Sequence, residues 1–240
     1  MSDAASRYLE LLKACLMDEI YDPEHRDVLA EDREWPRRAH TMLGRERLDN
    51  IQACIESVLE DGVEGDLIET GVWRGGATIF MRGVLEARGD AARTVWVADS
   101  FQGLPAPDTQ NFPADAADAH FTRPELAVSV DEVKANFARY GLLDDRVIFV
   151  EGWFRETLPA LPVEKLAVLR LDGDMYESTR VALDALYPKL QPGGYIIVDD
   201  YRSIPGCFKA VNDYRAEQHI REPFVVVDWT AVCWRREPNG

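Results

Sequence analysis

Four aspartates that follow two apolar segments are the residues of this sequence best suited to catalysis. Asp172 and Asp174 come directly after the segment KLAVLRL, and Asp199 and Asp200 come directly after YIIV. If the two segments are neighbouring parallel strands, their carboxyl ends lie about 5 Å apart and the four carboxylates meet at one edge of a sheet. Like charges that close repel each other, and a divalent cation removes the conflict because carboxylate oxygens are the ligands that Mg²⁺ prefers. The sequence therefore predicts a magnesium site, since helix capping, the alternative, accounts for one aspartate at each strand end and not readily for two.

A glycine-bearing turn and a further acidic residue indicate a nucleoside ligand beside these aspartates. The turn ETGVWRGG places Glu69 two residues before Gly71, and a glycine between a strand and a helix lets the backbone approach a ligand closely. The turn is not the GxGxxG pattern of dinucleotide-binding proteins. Asp99 ends the next strand, where a carboxylate can accept both hydroxyls of a ribose or can instead cap a turn. Trp153 follows Gly152 after the third strand, and its ring either stacks on an adenine or packs in the core.

The elements that must position these residues read as an α/β fold. Strands alternate with helices along most of the chain, a pattern that predicts a mostly parallel sheet with helices on both faces. Ligands of such sheets bind beyond the carboxyl ends of the strands, where two long loops, residues 21–44 and 104–128, are expected to overhang. The last two strands are separated by too little chain for a crossover helix, so they form an antiparallel hairpin. The predicted strands are Asp66–Thr70, Thr94–Asp99, Arg146–Gly152, Lys165–Asp172, Tyr195–Asp200, Pro223–Asp228 and Thr230–Arg236, and the predicted helices are residues 6–21, Arg45–Asp61, Ala77–Ala87, Ser129–Gly141, Ser178–Lys189 and Cys207–Gln218.

Composition excludes several classes of partner. The 240 residues carry a formal net charge of -16, which disfavours nucleic acid and anionic membrane surfaces because both attract basic proteins. No apolar run approaches the roughly 20 residues that span a bilayer. Acidic residues interrupt the apolar pattern near the N-terminus, so we expect no signal peptide and a cytoplasmic location. The four cysteines, which show no metal-binding spacing, are expected to be reduced core thiols.

Six motifs, taken together and in this order, resemble the macrocin-type sugar O-methyltransferases of antibiotic biosynthesis. They are ETGVWRGG, WVADSFQG, NFARYGLLDD, GWFRETLP, LRLDGDMYEST and PGGYIIVDDY, and the resemblance extends from about Tyr8 to Arg236. It implies a class I methyltransferase sheet with a Rossmann-like fold and an N-terminal helical lid. Residues 1–62 would form the N-terminal helices and lid, and residues 63–240 the catalytic domain. It also implies S-adenosyl-L-methionine and Mg²⁺ as cofactors, a small-molecule glycoside as substrate and a homodimer.

The resemblance also assigns roles to individual residues. Asp172, Asp199 and Asp200 would be the metal ligands, and Asp174 the general base. The residues themselves leave His40 with three alternatives: it lines the acceptor pocket, serves as a second acid/base group because imidazole titrates near neutrality, or makes a local hydrogen bond. The implied cofactor contacts are Thr41, Met42, Glu69, Thr70, Gly71, Val72, Trp73, Asp99, Ser100, Phe101, Gly103, Gly152, Trp153 and Phe154.

Three other functions are compatible with parts of the sequence. The acceptor can instead be a non-sugar hydroxyl such as a phenol, because the choice of acceptor depends on the shape of the loops and the sequence does not give that shape. The DGD motif also occurs in metal-dependent glycosyltransferases, but that hypothesis leaves the ETGVWRGG turn, Asp99 and the second aspartate pair without a role. A cofactor-sensing protein without catalytic activity would have no need of a metal beside the cofactor.

Overall fold

The computed structural model describes residues 3–22 and 36–237. Residues 23–35, which belong to the first long loop and include Trp35, lie outside the described residues. The predicted strands and helices occur in the predicted order, a short helix after the third strand was not predicted, and the loop of residues 104–128 contains three short 3₁₀ turns. The elements are α1 Ala4–Leu16, α2 Arg45–Glu60, β1 Asp66–Thr70, α3 Gly76–Ala87, β2 Val95–Asp99, α4 Val130–Arg139, β3 Val147–Glu151, α5 Phe154–Thr157, β4 Leu166–Leu171, α6 Tyr176–Leu186, β5 Leu190–Val198, α7 Pro205–Glu217, β6 Val225–Val226 and β7 Val232–Arg235.

The seven strands form a single sheet in the order β3-β2-β1-β4-β5-β7-β6. The first five strands are parallel, whereas β7 pairs antiparallel with both β5 and β6, as predicted. Strands β4 and β5 are direct neighbours, so the aspartates that follow them emerge side by side. The predicted fold class, a mostly parallel α/β sheet with a C-terminal antiparallel hairpin, is confirmed.

Helices cover both faces because alternate strand residues point in opposite directions. In β1, Leu67 belongs to an apolar cluster with α1, α2, α3 and α4, whereas Ile68 belongs to a second cluster with α6 and α7. All six residues of β4 are buried, as expected of a central parallel strand. Gly194 lets β5 approach β4, since a Cβ there would lie 2.7 Å from the Ala167 carbonyl oxygen.

The first helix is shorter than the prediction over residues 6–21. It ends at Leu16, and Asp18 adopts a φ of 60°, which a right-handed helix does not allow. The spacing of Leu9, Leu12, Leu16 and Ile20 predicts that these four residues share one face of the helix, but Ile20 lies beyond its end and is 45% exposed. The three leucines of that face, Leu9, Leu12 and Leu16, are buried as predicted.

A buried arginine on α3 gives a testable dependence of stability on pH. Arg82 is 2% exposed and donates to Asp144, which precedes β3, and this bond lowers the pKa of Asp144 to about 2. Because the folded pKa is lower than the unfolded one, the pair stabilises the protein above about pH 4, and this contribution is lost as the pH falls towards 2.

We expect Asp144→Asn to reduce the free energy of unfolding by about 1 kcal/mol near pH 7, a value discounted because Asp144 is partly exposed. Urea unfolding from pH 7 to pH 3 should show the difference from wild type shrinking at the acidic end. The matched control is its exposed neighbour, Asp145→Asn, for which we expect little change at any pH. A deficit for Asp144→Asn that stays constant with pH would contradict this account.

Candidate active site

A cavity of about 500 Å³ lies beyond the carboxyl ends of β1, β2, β4 and β5, where the fold places ligands. All four aspartates singled out in the sequence, Asp172, Asp174, Asp199 and Asp200, line it. So do most of the residues expected to hold the cofactor: Thr41, Met42, Glu69, Gly71, Val72, Trp73, Asp99, Ser100, Gly103, Trp153 and Phe154.

Three residues from the expected cofactor set do not line this cavity. Thr70 is 1% exposed, and its carbonyl accepts the amide of Asp172 at 2.9 Å. Phe101 is 6% exposed, and its ring lies 6.4 Å from that of Phe149. Gly152 has a φ of 140°, and its amide donates to the carbonyl of Asp99 at 3.0 Å. These three residues therefore stabilise the turns around the cavity, through packing or backbone hydrogen bonds, and do not face its interior.

The glycine turn after β1 needs its glycine. Gly71 has a φ of 85°, and a Cβ there would lie 1.8 Å from the Asp172 carbonyl oxygen. Only a residue without a side chain fits this conformation and this close contact between the ends of β1 and β4. Trp73, two residues after Gly71, also has a positive φ, 48°, and its indole nitrogen donates to the Glu125 carbonyl at 2.8 Å. The turn is therefore tied to β4 and to the loop of residues 104–128.

The carboxylate of Asp99 connects two backbone turns at the cavity wall. Its two oxygens accept the amides of Val72 and Phe101, both at 2.7 Å. Burial raises the pKa of Asp99, and these backbone hydrogen bonds oppose the shift. Each carboxylate oxygen can accept a further hydrogen bond, so the residue can still receive a ribose hydroxyl from the cavity.

Three carboxyl groups gather at one end of the cavity. Asp172, Asp174 and Asp200 each offer an oxygen, and these oxygens lie within 4.8 Å of one another. Asp174 has a φ of 57°, in the left-handed region that a non-glycine residue seldom adopts. Such an outlier is typical of functional sites, where the surrounding structure enforces it.

The environment of this cluster disfavours three negative charges. Burial raises the pKa of Asp174 to about 7, and repulsion from Asp172 acts in the same direction. Burial also raises the pKa of Asp172 and of Asp200 well above the usual range, with repulsion from Asp199 adding to both shifts. The Oδ2 atom of Asp200 is buried and accepts no hydrogen bond from the described residues. A bound cation would relieve both the repulsion and this unsatisfied oxygen.

Asp199, the fourth aspartate, contacts arginines. One of its oxygens accepts from Arg170 and the other accepts from Arg47 at 2.6 Å. Arg170 is 1% exposed and also donates to Glu69 and, at 2.8 Å, to Asp172. The sequence-based ligand set of Asp172, Asp199 and Asp200 therefore differs from the three carboxylates that lie together here, and that set stays a prediction.

Arg170 and Arg47 are site residues that the sequence analysis missed. A signal for Arg170 was present, because an arginine inside the apolar strand LAVLRL has the same side-chain direction as Asp172 two residues later. Arg47 occupies a buried position on α2, and no sequence pattern connects that position to β5. A buried arginine requires a carboxylate partner, and the sequence analysis did not assign one to either arginine.

Glu69 faces the same buried arginine from β1. It is 1% exposed, and burial raises its pKa to about 8 against the opposing effect of Arg170. Arg170 thereby connects the end of β1, where the glycine turn begins, with the acidic residues after β4 and β5.

The described part of the first long loop lies against the glycine turn. Arg74 donates to the carbonyl oxygens of Pro36, Arg37 and Ala39 at 2.9–3.2 Å. His40 lines the cavity, and its Nδ1 atom also shares a hydrogen bond of 2.7 Å with the Tyr140 hydroxyl. The local hydrogen bond considered for His40 is therefore present, and a role for His40 at the acceptor stays a prediction.

A buried aspartate holds the second long loop in place. The carboxylate of Asp115, 1% exposed, accepts the amides of Tyr176 and Glu177 at 2.6 and 3.1 Å and caps the N-terminus of α6. Gly206 permits this contact, because a Cβ there would lie 2.6 Å from an oxygen of Asp115. The loop is thus attached beside the carboxyl cluster by a residue whose role no local sequence pattern predicts.

The strand order, the antiparallel last pair and the cavity at the carboxyl edge define the class I methyltransferase fold. None of the helices in the described residues combines the length and apolar character needed to cross a bilayer.

Comparison with known proteins assigns the chain within that class. The profile of the macrocin-O-methyltransferase (TylF) family matches residues 21–236, and the chain belongs to this family of O-methyltransferases. The solved structure of the O-methyltransferase NovP has a TM-score of 0.94 and 48% identity, and the match covers 98% of this chain and 100% of that one. The calicheamicin methyltransferase CalS11, at 20% identity and a TM-score of 0.65, shares the fold.

Two characterised relatives align over nearly their whole length. The 8-demethyl-8-(2,3-dimethoxy-alpha-L-rhamnosyl)-tetracenomycin-C 4'-O-methyltransferase of Streptomyces olivaceus is 51% identical over 245 residues, covering 97% of this chain and 94% of the relative. The mycinamicin III 3''-O-methyltransferase of Micromonospora griseorubida is 46% identical over 250 residues, covering 98% of both chains.

Proposed function

We propose that this O-methyltransferase transfers a methyl group from S-adenosylmethionine to a sugar hydroxyl of a glycosylated natural product, with Mg²⁺ bound at the carboxyl cluster. The observation that carries the proposal is the gathering of Asp172, Asp174 and Asp200 in the cavity bordered by the glycine turn and Asp99. A cavity of this size beside a proton-accepting group allows a methyl donor and an acceptor hydroxyl to be held together in a reactive geometry.

The wall of β1 and β2 fits the methyl donor. Gly71 keeps the cofactor turn close to the end of β4 and lines the cavity, and Asp99 can receive the ribose hydroxyls of the donor. Trp153 and Phe154 are partly exposed in the cavity and offer an aromatic surface to the adenine. When bound, S-adenosylmethionine supplies an electrophilic methyl group on a positively charged sulfur.

The other end of the cavity fits a hard divalent cation. We propose Asp172, Asp199 and Asp200 as the residues that hold Mg²⁺, supported by the unsatisfied buried oxygen of Asp200 and by the all-oxygen donor set. Arg170 neutralises part of the charge of Asp172 and Asp199 and keeps both side chains directed towards one place. When bound, Mg²⁺ supplies Lewis-acid stabilisation of negative charge that develops on the acceptor oxygen.

Asp174 is proposed as the general base. Its carboxylate accepts the proton of the acceptor hydroxyl while the oxygen lone pair forms the new bond to the methyl carbon. The carbon–sulfur bond breaks with its electrons remaining on sulfur, so S-adenosylhomocysteine and the methyl ether are the products. The task of the remaining cavity residues is to hold oxygen, carbon and sulfur in line, which lowers the entropic part of the barrier.

The acceptor class follows from the relatives by analogy. The names of two of them specify methylation of a rhamnosyl tetracenomycin at the 4' position and of mycinamicin III at the 3'' position. A third relative, from Streptomyces niveus, is a demethyldecarbamoylnovobiocin O-methyltransferase, 48% identical over 246 residues. We therefore propose a glycoside in place of a simple phenol.

A panel of acceptors tests the proposal. The purified protein is incubated with S-adenosylmethionine and Mg²⁺ and with each of the three acceptors named for the relatives, and products are detected by mass spectrometry. We expect methylation of at least one glycoside, a loss of more than about 100-fold with EDTA and recovery on adding Mg²⁺ in excess. Methylation of a simple phenol such as catechol, with none of the glycosides, would contradict the proposed acceptor class. Full activity in EDTA would contradict the proposed metal.

A further inference from the structure

His120 lies where two cavities adjoin. It belongs to the loop between β2 and α4 and lines the main cavity, together with Arg123 and Ile204. The same three residues also line a second cavity of about 240 Å³, whose far side includes Asp115 and Gly206. The imidazole is 38% exposed, so a ligand in the main cavity can reach it.

The neighbouring Asp118 fixes the orientation of the ring. One oxygen of Asp118 accepts the backbone amide of His120 at 2.9 Å, and the other lies 2.8 Å from Nδ1. The side chain of Asp118 is only 7% exposed and is therefore held in place. Since a carboxylate only accepts, the proton on Nδ1 is shared with Asp118. Nε2, which has no hydrogen-bond partner within residues 3–22 and 36–237, is the nitrogen left for a ligand.

The ring lines the same cavity as the carboxyl cluster of Asp172, Asp174 and Asp200. The hydrogen bond to Asp118 raises the pKa of His120, and the negative charge of Asp200 adds to this shift. Asp118 in turn contributes to the raised pKa of Asp174, after burial and repulsion from Asp172.

We propose that His120 is an acceptor-binding residue whose Nε2 atom hydrogen-bonds a sugar oxygen next to the hydroxyl that is methylated. The inference rests on the proposed function, in which the carboxyl cluster receives the reacting hydroxyl. Adjacent oxygens on a sugar ring are close enough for two groups of one cavity to bind them at once. A neutral imidazole accepts from a hydroxyl there, and a protonated one donates to a hydroxyl or an ether oxygen. Asp118 is a positioning residue that acts through the ring.

Paired histidine variants test this role. His120→Asn shortens the side chain beyond reach of the acceptor, whereas His120→Gln retains an amide near the position of Nε2. The matched control is His219→Asn, because His219 follows α7, does not line either cavity and has a φ of 56°, which asparagine tolerates. Kinetics are measured with the three relatives' acceptors, together with calorimetric binding of S-adenosylhomocysteine and the melting temperature.

We expect His120→Asn to raise the acceptor KM about tenfold with kcat within about threefold of wild type. S-adenosylhomocysteine affinity and melting temperature should not change, and His120→Gln should recover part of the loss. Asp118→Ala should raise the acceptor KM less and should add nothing to His120→Asn in the double variant.

An acceptor KM within twofold of wild type in His120→Asn would overturn the inference, as would an equal loss of S-adenosylhomocysteine binding. Absence of turnover by the wild type with all three acceptors would contradict the proposed function, and this inference with it. The two failures are therefore distinguishable.

Discussion

Replacing Asp174 by asparagine should lower kcat about 1,000-fold while leaving the binding of S-adenosylhomocysteine and Mg²⁺ within about threefold of wild type. Asparagine has nearly the same volume as aspartate, but its amide cannot accept the acceptor proton at neutral pH. The residue is held by a strained backbone, with a φ of 57°, and asparagine is among the few residues that tolerate this region. The substitution therefore removes the base with little change in the fold.

Binding and turnover must be measured together for this prediction. Calorimetry reports the affinities for Mg²⁺ and S-adenosylhomocysteine, and single-turnover kinetics report the chemical step. The control is Asp184→Asn. Asp184 lies on α6, the helix that follows Asp174, and its side chain is exposed and pairs with Arg180. A loss of Mg²⁺ affinity as large as the loss of turnover would reassign Asp174 as a metal ligand. That result would agree with its place among the three clustered carboxylates.

Gly71→Ala should weaken S-adenosylhomocysteine binding more than about 100-fold and lower the free energy of unfolding by about 3 kcal/mol. Two effects combine at this position. The φ of 85° is strained for alanine, and its methyl group would lie 1.8 Å from the Asp172 carbonyl oxygen. Relief of this overlap requires the ends of β1 and β4 to move apart, which displaces both the cofactor turn and the carboxyl cluster.

The matched control separates strain from overlap. Gly62, after α2, has a φ of 65°, but a Cβ there would have nothing within 4 Å. Gly62→Ala should therefore cost only about 1 kcal/mol, the conformational part, and should leave cofactor affinity unchanged. Urea unfolding and calorimetry of both variants make the comparison. Equal effects in the two variants would mean that the contact between Gly71 and Asp172 has no part in holding the site.

The convergence of the aspartates is the part of the site that the sequence predicted most directly. Their placement follows from two local facts, an acidic pair at the end of each apolar strand and one helix between the strands, which together make β4 and β5 neighbours. Strand β1 was predicted with the bounds observed, Asp66–Thr70, because its apolar pattern and the following glycine mark both limits. The pairing of β4 with β5 thus followed from short-range patterns.

The arginine contacts could not be predicted, because they join residues far apart in the chain. Arg170 contacts Glu69 on β1 and Asp199 after β5, and Arg47 reaches Asp199 from α2. Which carboxylate each guanidinium selects depends on helix packing against the sheet. For the same reason the sequence alone did not show that both carboxylate oxygens of Asp199 accept from arginines.

The loop of residues 104–128 was equally difficult to interpret from sequence. Its conformation depends on Asp115 capping α6 and on Trp73 donating to the Glu125 carbonyl, both of which are tertiary contacts. Consequently the sequence did not predict the hydrogen bond between Asp118 and His120, although the two residues are only two positions apart.

The central claim is that the methyl group of S-adenosylmethionine reaches a sugar oxygen at the carboxyl cluster. Its most direct test uses S-adenosylmethionine with a trideuterated methyl group, Mg²⁺ and the glycoside from the panel that gives the highest turnover. Tandem mass spectrometry of the product locates the label in the sugar or in the aglycone. We predict a single deuterated methyl on the sugar fragment with the wild type and labelling about 1,000-fold slower with Asp174→Asn. A label on the aglycone, or unchanged labelling by Asp174→Asn, would contradict the account.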